Sequence, residues 1–97
     1  MLIDDVKTAL RISHNRLDDD INQHISACLD DMKRLEIAVP DDTENVVGVP
    51  LLLAAVKIYC MAQYDFLGKG EQYKKGYESL RDTLSLSGSY REGDEDV

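Results

Sequence analysis

Residues 50–67, PLLLAAVKIYCMAQYDFL, form the one stretch of the chain apolar enough to be enclosed on nearly all sides, and the remaining segments read as its cover. Pro50 suits a first helical turn, where its missing N–H removes no bond, and Gly68 suits a stop just past the end. The spacing predicts a helix of roughly 27 Å at 1.5 Å per residue. At 100° per residue, Ala54, Lys57, Met61 and Asp65 make one narrow stripe, while the leucines, Val56, Ile58, Tyr59, Cys60 and Phe66 take most of the remaining circumference. The run is too short for a membrane span and carries Lys57, Gln63 and Asp65 between acid-rich flanks.

Working outward, Leu2, Ile3, Val6, Ala9 and Leu10 recur at helical spacing, so a short first helix is expected over residues 2–11, with Asp4 and Asp5 at its positive end. Asn15 is the expected N-cap of a long second helix, with Asp18 at the third position and Asp19 and Asp20 close behind. Leu17, Ile21, His24, Ile25, Cys28, Met32 and Leu35 share one face of that helix, which can lie along the central one. Residues 37–49, IAVPDDTENVVGV, hold neither period and form a long loop, in which Val46, Val47 and Val49 are also compatible with a brief strand. Tyr73, Tyr77, Leu80 and Leu84 place a fourth helix at about 71–85. Gly76 within it costs about 1 kcal/mol against Ala, which implies either close approach of another backbone or tolerance at a surface position. Residues 87–97, rich in Gly, Ser and acids, are expected to be a flexible acidic tail on a helical domain of residues 1–86. The fold class is thus all-α: four helices, the third central and apolar, with a long loop between the second and third.

Ninety-seven residues make one small domain with one modest core. The net charge of −8, concentrated in the first half, argues against tight sequence-independent binding to DNA or anionic membranes, which needs clustered Lys and Arg. Cys28 and Cys60 lack CxxC spacing and lie at apolar helical positions, as reduced core thiols would. MLIDDVK has acids where an export signal needs a basic region, so an intracellular setting is expected.

No motif in the sequence carries catalysis. His24 and Cys28 lie one turn apart, but no further ligands stand at zinc-site spacing, and a half-buried core histidine is the better reading. Gly68-Lys69-Gly70 lacks the first glycine and the hydroxyl residue of a phosphate loop and reads as a helix–helix turn. Asp18-Asp19-Asp20 lacks the glycine and distal Glu of a calcium loop and is explained by helix-end electrostatics. Lys69, Lys74, Lys75 and Arg81 are interleaved with Glu71, Glu78 and Asp82, giving a solvated face with pairs such as Lys74 with Glu78. Gln63 projects between Leu52, Val56, Tyr59 and Leu67. An unpaired buried amide costs about 1–3 kcal/mol, so its partner is expected on a backbone carbonyl of its own subunit or on a neighbour.

The order of segments, a short helix ending ALRIS, a turn into LDDDINQHI, a variable loop, the PLLLAAVKIYCMAQYDFLG helix and a closing YKKGYESLRDTLSLSGSY, resembles the head-tail connector proteins of tailed bacteriophages and prophages over residues 2–90. The resemblance implies a small helical adaptor without enzymatic activity or cofactor, assembling as a ring of about a dozen subunits beneath the portal after DNA packaging. Implied partners are further copies of itself, the portal protein and a tail-completion protein, with DNA passing through unbound and no membrane involved. The implied setting is the host cytoplasm during assembly and then the head–tail junction of the virion. On this reading Pro40, Asp41, Asp42, Asn45, Val46 and Val47 of the loop, with Met61 and Gln63 of the central helix, are expected at subunit contacts. Lys74, Arg81, Tyr90 and Arg91 are expected to meet the portal or tail-completion protein. The alternative is a small prophage-encoded regulatory or DNA-binding helical domain, although no helix presents the basic and amide side chains of a recognition helix.

Overall fold

A computed structural model describes residues 1–88 and Tyr90. Among them the chain is all-α, with α1 (Leu2–Leu10), α2 (Asp18–Arg34), α3 (Pro50–Gln63) and α4 (Gly70–Leu86). Helix α3 packs against each of the other three, and α2 and α4 rest on it rather than on each other. Its buried Leu52, Ala55, Val56 and Cys60 meet Leu2, Val6 and Leu10 of α1, Ile21, Ile25, Cys28 and Met32 of α2, and Tyr77 and Leu84 of α4 in one core. Both cysteines are free and buried, and burial pushes each thiol up to about 12.

The helix ends explain how the covers are aimed. Helix α1 ends on Arg11 in the left-handed region (φ 59°), where the Arg11 N–H reaches the Thr8 carbonyl at 3.1 Å and the Ile12 N–H reaches that of Lys7 at 2.9 Å. The same closure follows α2, where left-handed Glu36 (φ 63°) lets the Ile37 N–H reach the Met32 carbonyl at 3.1 Å. Each closure turns an isoleucine back toward the core, and Ile37 is fully buried.

Asn15 does not cap α2. Leu17 takes the cap position without a side-chain bond, because the Asn15 Oδ1 accepts the Lys7 ammonium at 3.1 Å. That ammonium also pairs with Asp18 at 2.8 Å and its side chain is only 11% exposed, so Lys7 fastens α1 to the start of α2.

The loop after α2 is shorter than the sequence implies. The Asp42 carboxylate accepts the Glu44 N–H at 3.0 Å and starts a 3₁₀ helix over Thr43–Gly48, so Val46 and Val47 form no strand. Val46 enters the core, and the Glu44 carboxylate accepts the Leu2 N–H at 2.8 Å, occupying one of the orphan donors at the start of α1.

Helix α3 stops at Gln63, a turn earlier than its apolar run. Asp65 and Leu67 both adopt left-handed backbone (φ 48° and 56°), and the Asp65 carboxylate accepts the Gly70 N–H at 2.8 Å. That turn swings Leu67 out to 62% exposure. It also leaves Gln63 exposed rather than enclosed among Leu52, Val56, Tyr59 and Leu67, so its amide requires no partner within the subunit. Gly70 is required here, since a Cβ would lie 2.6 Å from the Asp65 carboxylate and 3.2 Å from the Ala62 carbonyl. Gly76 is different. A Cβ there would meet nothing closer than Ile58 at 3.8 Å, so no backbone of its own subunit requires the glycine.

Candidate functional site

Because α2 and α4 both rest on α3 without closing on each other, they leave an open groove of about 770 Å³ over the middle of α3. Its floor is apolar and aromatic, formed by Ala27, Tyr59, Ala62 and Tyr77, with the Tyr59 and Tyr77 rings edge to face at 5.0 Å.

One end of the groove is closed by a polar cluster around Asp31. Its carboxylate accepts the Tyr77 hydroxyl at 2.7 Å, the Arg81 guanidinium at 3.1 Å and the Arg34 guanidinium at 2.5 Å. Burial pushes the Asp31 carboxyl up, but these three donors outweigh it and hold it below its ordinary 3.8. Burial, followed by the neighbouring Cys28 and Asp31, raises the Tyr77 hydroxyl far above its usual range, so it remains a donor. Arg81 is shared with Asp82 at 3.0 Å, and its guanidinium lies 5.8 Å from the Tyr77 ring centre. The expected Lys74–Glu78 pair is not formed; the ion pairs of α4 among the described residues are those of Arg81 with Asp31 and Asp82. At the other end lie Gln63, Asp65, Gly70 and Glu71.

The fold groups the sequence-selected residues in its own way. Gln63, expected at a subunit contact, shares the groove with Lys74 and Arg81, expected at a portal or tail contact. Pro40 and Tyr90 meet in a second, smaller notch of about 340 Å³ with Ala38, Val39, Val49 and Leu52, where the Tyr90 carbonyl accepts the Ala38 N–H at 2.6 Å. Asp41, Asn45 and Val47 are exposed, and Asp42 is exposed while capping its 3₁₀ helix. Val46 is fully buried, so its side chain offers no outer surface. Met61 is half-buried against the core, and Arg91 lies outside the described residues.

His24 is half-buried, edge-on to Tyr64 at 5.3 Å and 3.5 Å from Asp20, which also accepts the Tyr64 hydroxyl. Among the described residues no group of three or more His, Cys, Asp or Glu side chains is placed to hold a metal ion, and no helix is long and apolar enough to cross a membrane. Asp31, Tyr59 and Tyr77, the hub and floor of the groove, are not among the site residues expected from sequence, where the two tyrosines count only as apolar helix positions. The available signals were the i, i+3 spacing of Asp31 and Arg34 and the i, i+4 spacing of Tyr77 and Arg81.

These features, the central helix with its three covers, the groove and the notch, lie within a single family match. The profile of the phage connector proteins covers residues 2–91. No significant match is found among curated proteins or solved structures. With the match spanning nearly the full length, the chain belongs to the phage connector protein family.

Proposed function

We propose that this connector works as a ring-forming adaptor beneath the portal, joined head to tail through the groove between α2 and α4, and that it links the packaged head to the tail. The observation that carries the reading is the groove itself: a subunit of 97 residues leaves about 770 Å³ open over its central helix, floored by tyrosines and alanines and rimmed by charge. Such a surface suits a neighbour, and a head-to-tail contact whose rotation closes gives a ring, here of about a dozen copies.

The other exposed features suit partners along the ring axis. Val47, Pro50 and Leu51 present an apolar tip where the 3₁₀ helix enters α3, and the Pro40–Tyr90 notch lies beside Val49 and Leu52 of the same region. These surfaces, with the C-terminal residues 87–97, are assigned to the portal and tail-completion proteins. A subunit charge of −8 also lets DNA cross the ring without adhering to it. Assembly in the host cytoplasm and residence at the head–tail junction follow from this role.

Native mass spectrometry at rising protein concentration, alone and with the cognate portal, tests the reading. Closed rings on the portal are the expected result. A protein that stays monomeric with the portal present, or never binds it, removes the ring from the mechanism.

A further inference from the structure

We infer that the occupant of the groove is the outward face of α4 from a second copy of the chain, the stripe that runs through Gly76 and ends at Leu86. The inference rests on the ring reading and specifies its interface.

The two surfaces lie on opposite sides of one helix. At 100° per residue, Gln72, Gly76, Ser79 and Thr83 lie about half a turn from the groove-lining Gly70, Lys74 and Arg81. A helix with one face forming a groove and the other filling the next subunit's groove propagates head to tail with a single repeated contact.

Shape supports the fit. Gly76 stands mid-helix on an exposed face and lowers helix stability, yet its own subunit does not require it, since an added Cβ would make only ordinary contact with Ile58 at 3.8 Å. A glycine there lets a second molecule's side chains approach the α4 backbone. Ser79 and Thr83 are small, and the Thr83 hydroxyl is already spent on the Ser79 carbonyl at 2.9 Å, so this face demands few outside partners. Leu86, at 84% the most exposed large apolar residue described, continues the stripe and would be covered by the neighbour.

Charge supports it as well. Within the groove, Asp31 pairs with both Arg34 and Arg81, while Asp30, Glu71 and Glu78 make no ion pair among the described residues and outnumber Lys74, the groove's unpaired cation among them. The outward face carries exposed Lys69 and Lys75 at its edges, also without ion pairs among the described residues. Its one carboxylate, Asp82, is held by Arg81. Unpaired acids thus face unpaired lysines when one copy's α4 enters the next copy's groove.

The test uses the full-length chain on its portal. Gly76→Leu adds a side chain on an exposed face, where its Cβ makes only ordinary contact with Ile58 and helix propensity improves, so the melting temperature of the free protein is expected to hold or rise while rings on the portal are lost. In a second arm, Ser79→Cys and Ala27→Cys are placed in one chain. Helix α4 separates the two positions within a subunit, and native Cys28 and Cys60 are buried. Mild oxidation of the assembled protein is expected to give a ladder of covalent multimers, with each single variant giving none. If wild-type rings form but Gly76→Leu assembles equally well, or the paired cysteines give no ladder, this interface is wrong while the ring stands. Dimers from Ala27→Cys alone would point to groove-to-groove pairing and would equally overturn it. Absence of wild-type rings on the portal overturns both the ring and this contact.

Discussion

The Asp31 carboxylate of α2 and the Tyr77 hydroxyl of α4 meet at 2.7 Å across the groove and, with the Arg81 guanidinium on the same carboxylate, join two helices that pack mainly on α3. Tyr77→Phe keeps the ring packed against Tyr59 and removes the hydroxyl's bond to Asp31 together with its contact with the Cys28 thiol. Since a hydrogen bond to a charged group contributes about 1.5–3 kcal/mol, and Asp31 keeps some solvent contact, a loss of about 1–2 kcal/mol is expected by urea denaturation. Asp31→Ala is expected to cost more, because it also releases Arg81.

The same carboxylate sets an acid limit. Its folded-state value lies below the ordinary 3.8, so the unfolded chain takes up the proton first. The contribution of Asp31 is therefore complete above the unfolded value and is lost as pH falls through the folded one. Asp31→Asn is expected to lower the urea midpoint at about pH 6, and the gap from wild type is expected to shrink by about pH 2.5. A gap that is constant over that range would show that the carboxylate's charge contributes nothing.

Lys7 binds Asn15 and Asp18 from a nearly enclosed position. Lys7→Met keeps the aliphatic stem and removes the charge, leaving Asp18 without its cation. The pair is partly exposed at Asp18, so the expected destabilisation is about 1–2 kcal/mol, below the range for a fully buried pair. Thermal melts of Lys7→Met and Asp18→Asn, with the double variant closing the cycle, measure the coupling.

Gly70 and Gly76 respond to alanine with opposite signs. Gly70→Ala forces a Cβ against the Asp65 carboxylate and the Ala62 carbonyl and is expected to destabilise by about 1–2 kcal/mol. Gly76→Ala meets only ordinary contact with Ile58 and gains about 0.5–1 kcal/mol of helix propensity. Two melts decide both.

Duplex DNA binding is expected to be absent in the micromolar range at about 0.15 M salt, where exposed charges are screened beyond about 8 Å. Fluorescence anisotropy with a labelled duplex checks this, and sub-micromolar affinity at that salt would favour a DNA-binding role over a passive channel lining.

The four helices and the central place of α3 were legible because their apolar spacing is strong and α3 opens on Pro50. The ends were harder to read. Helices α1 and α2 close on left-handed Arg11 and Glu36, and α3 turns on Asp65 and Leu67, none of them the glycine that ordinarily marks such a stop. Apolar periodicity continues through Phe66 and Leu67, so nothing local announced that Gln63 would end α3 in the open. The groove was hidden for a related reason. It arises from α2 and α4 both choosing α3 as a partner, and Asp31, Tyr77 and Arg81 become neighbours only once that choice is made.

The bond from the Leu2 amide to the Glu44 carboxylate spans 42 positions, and it has a meaning for the order in which the chain takes shape. A polypeptide leaves the ribosome amino end first, so α1 emerges while one of its opening donors still lacks this acceptor. That donor turns to water until Asp42 has capped its short helix and brought Glu44 within reach. The apolar face of α1, Leu2, Val6 and Leu10, likewise waits for Leu52 and Val56. The first of these four helices to be synthesised is thus among the last to be secured. Amide exchange during refolding is expected to protect Leu2 and the first turn of α1 in step with the loop and α3, later than the interior of α2.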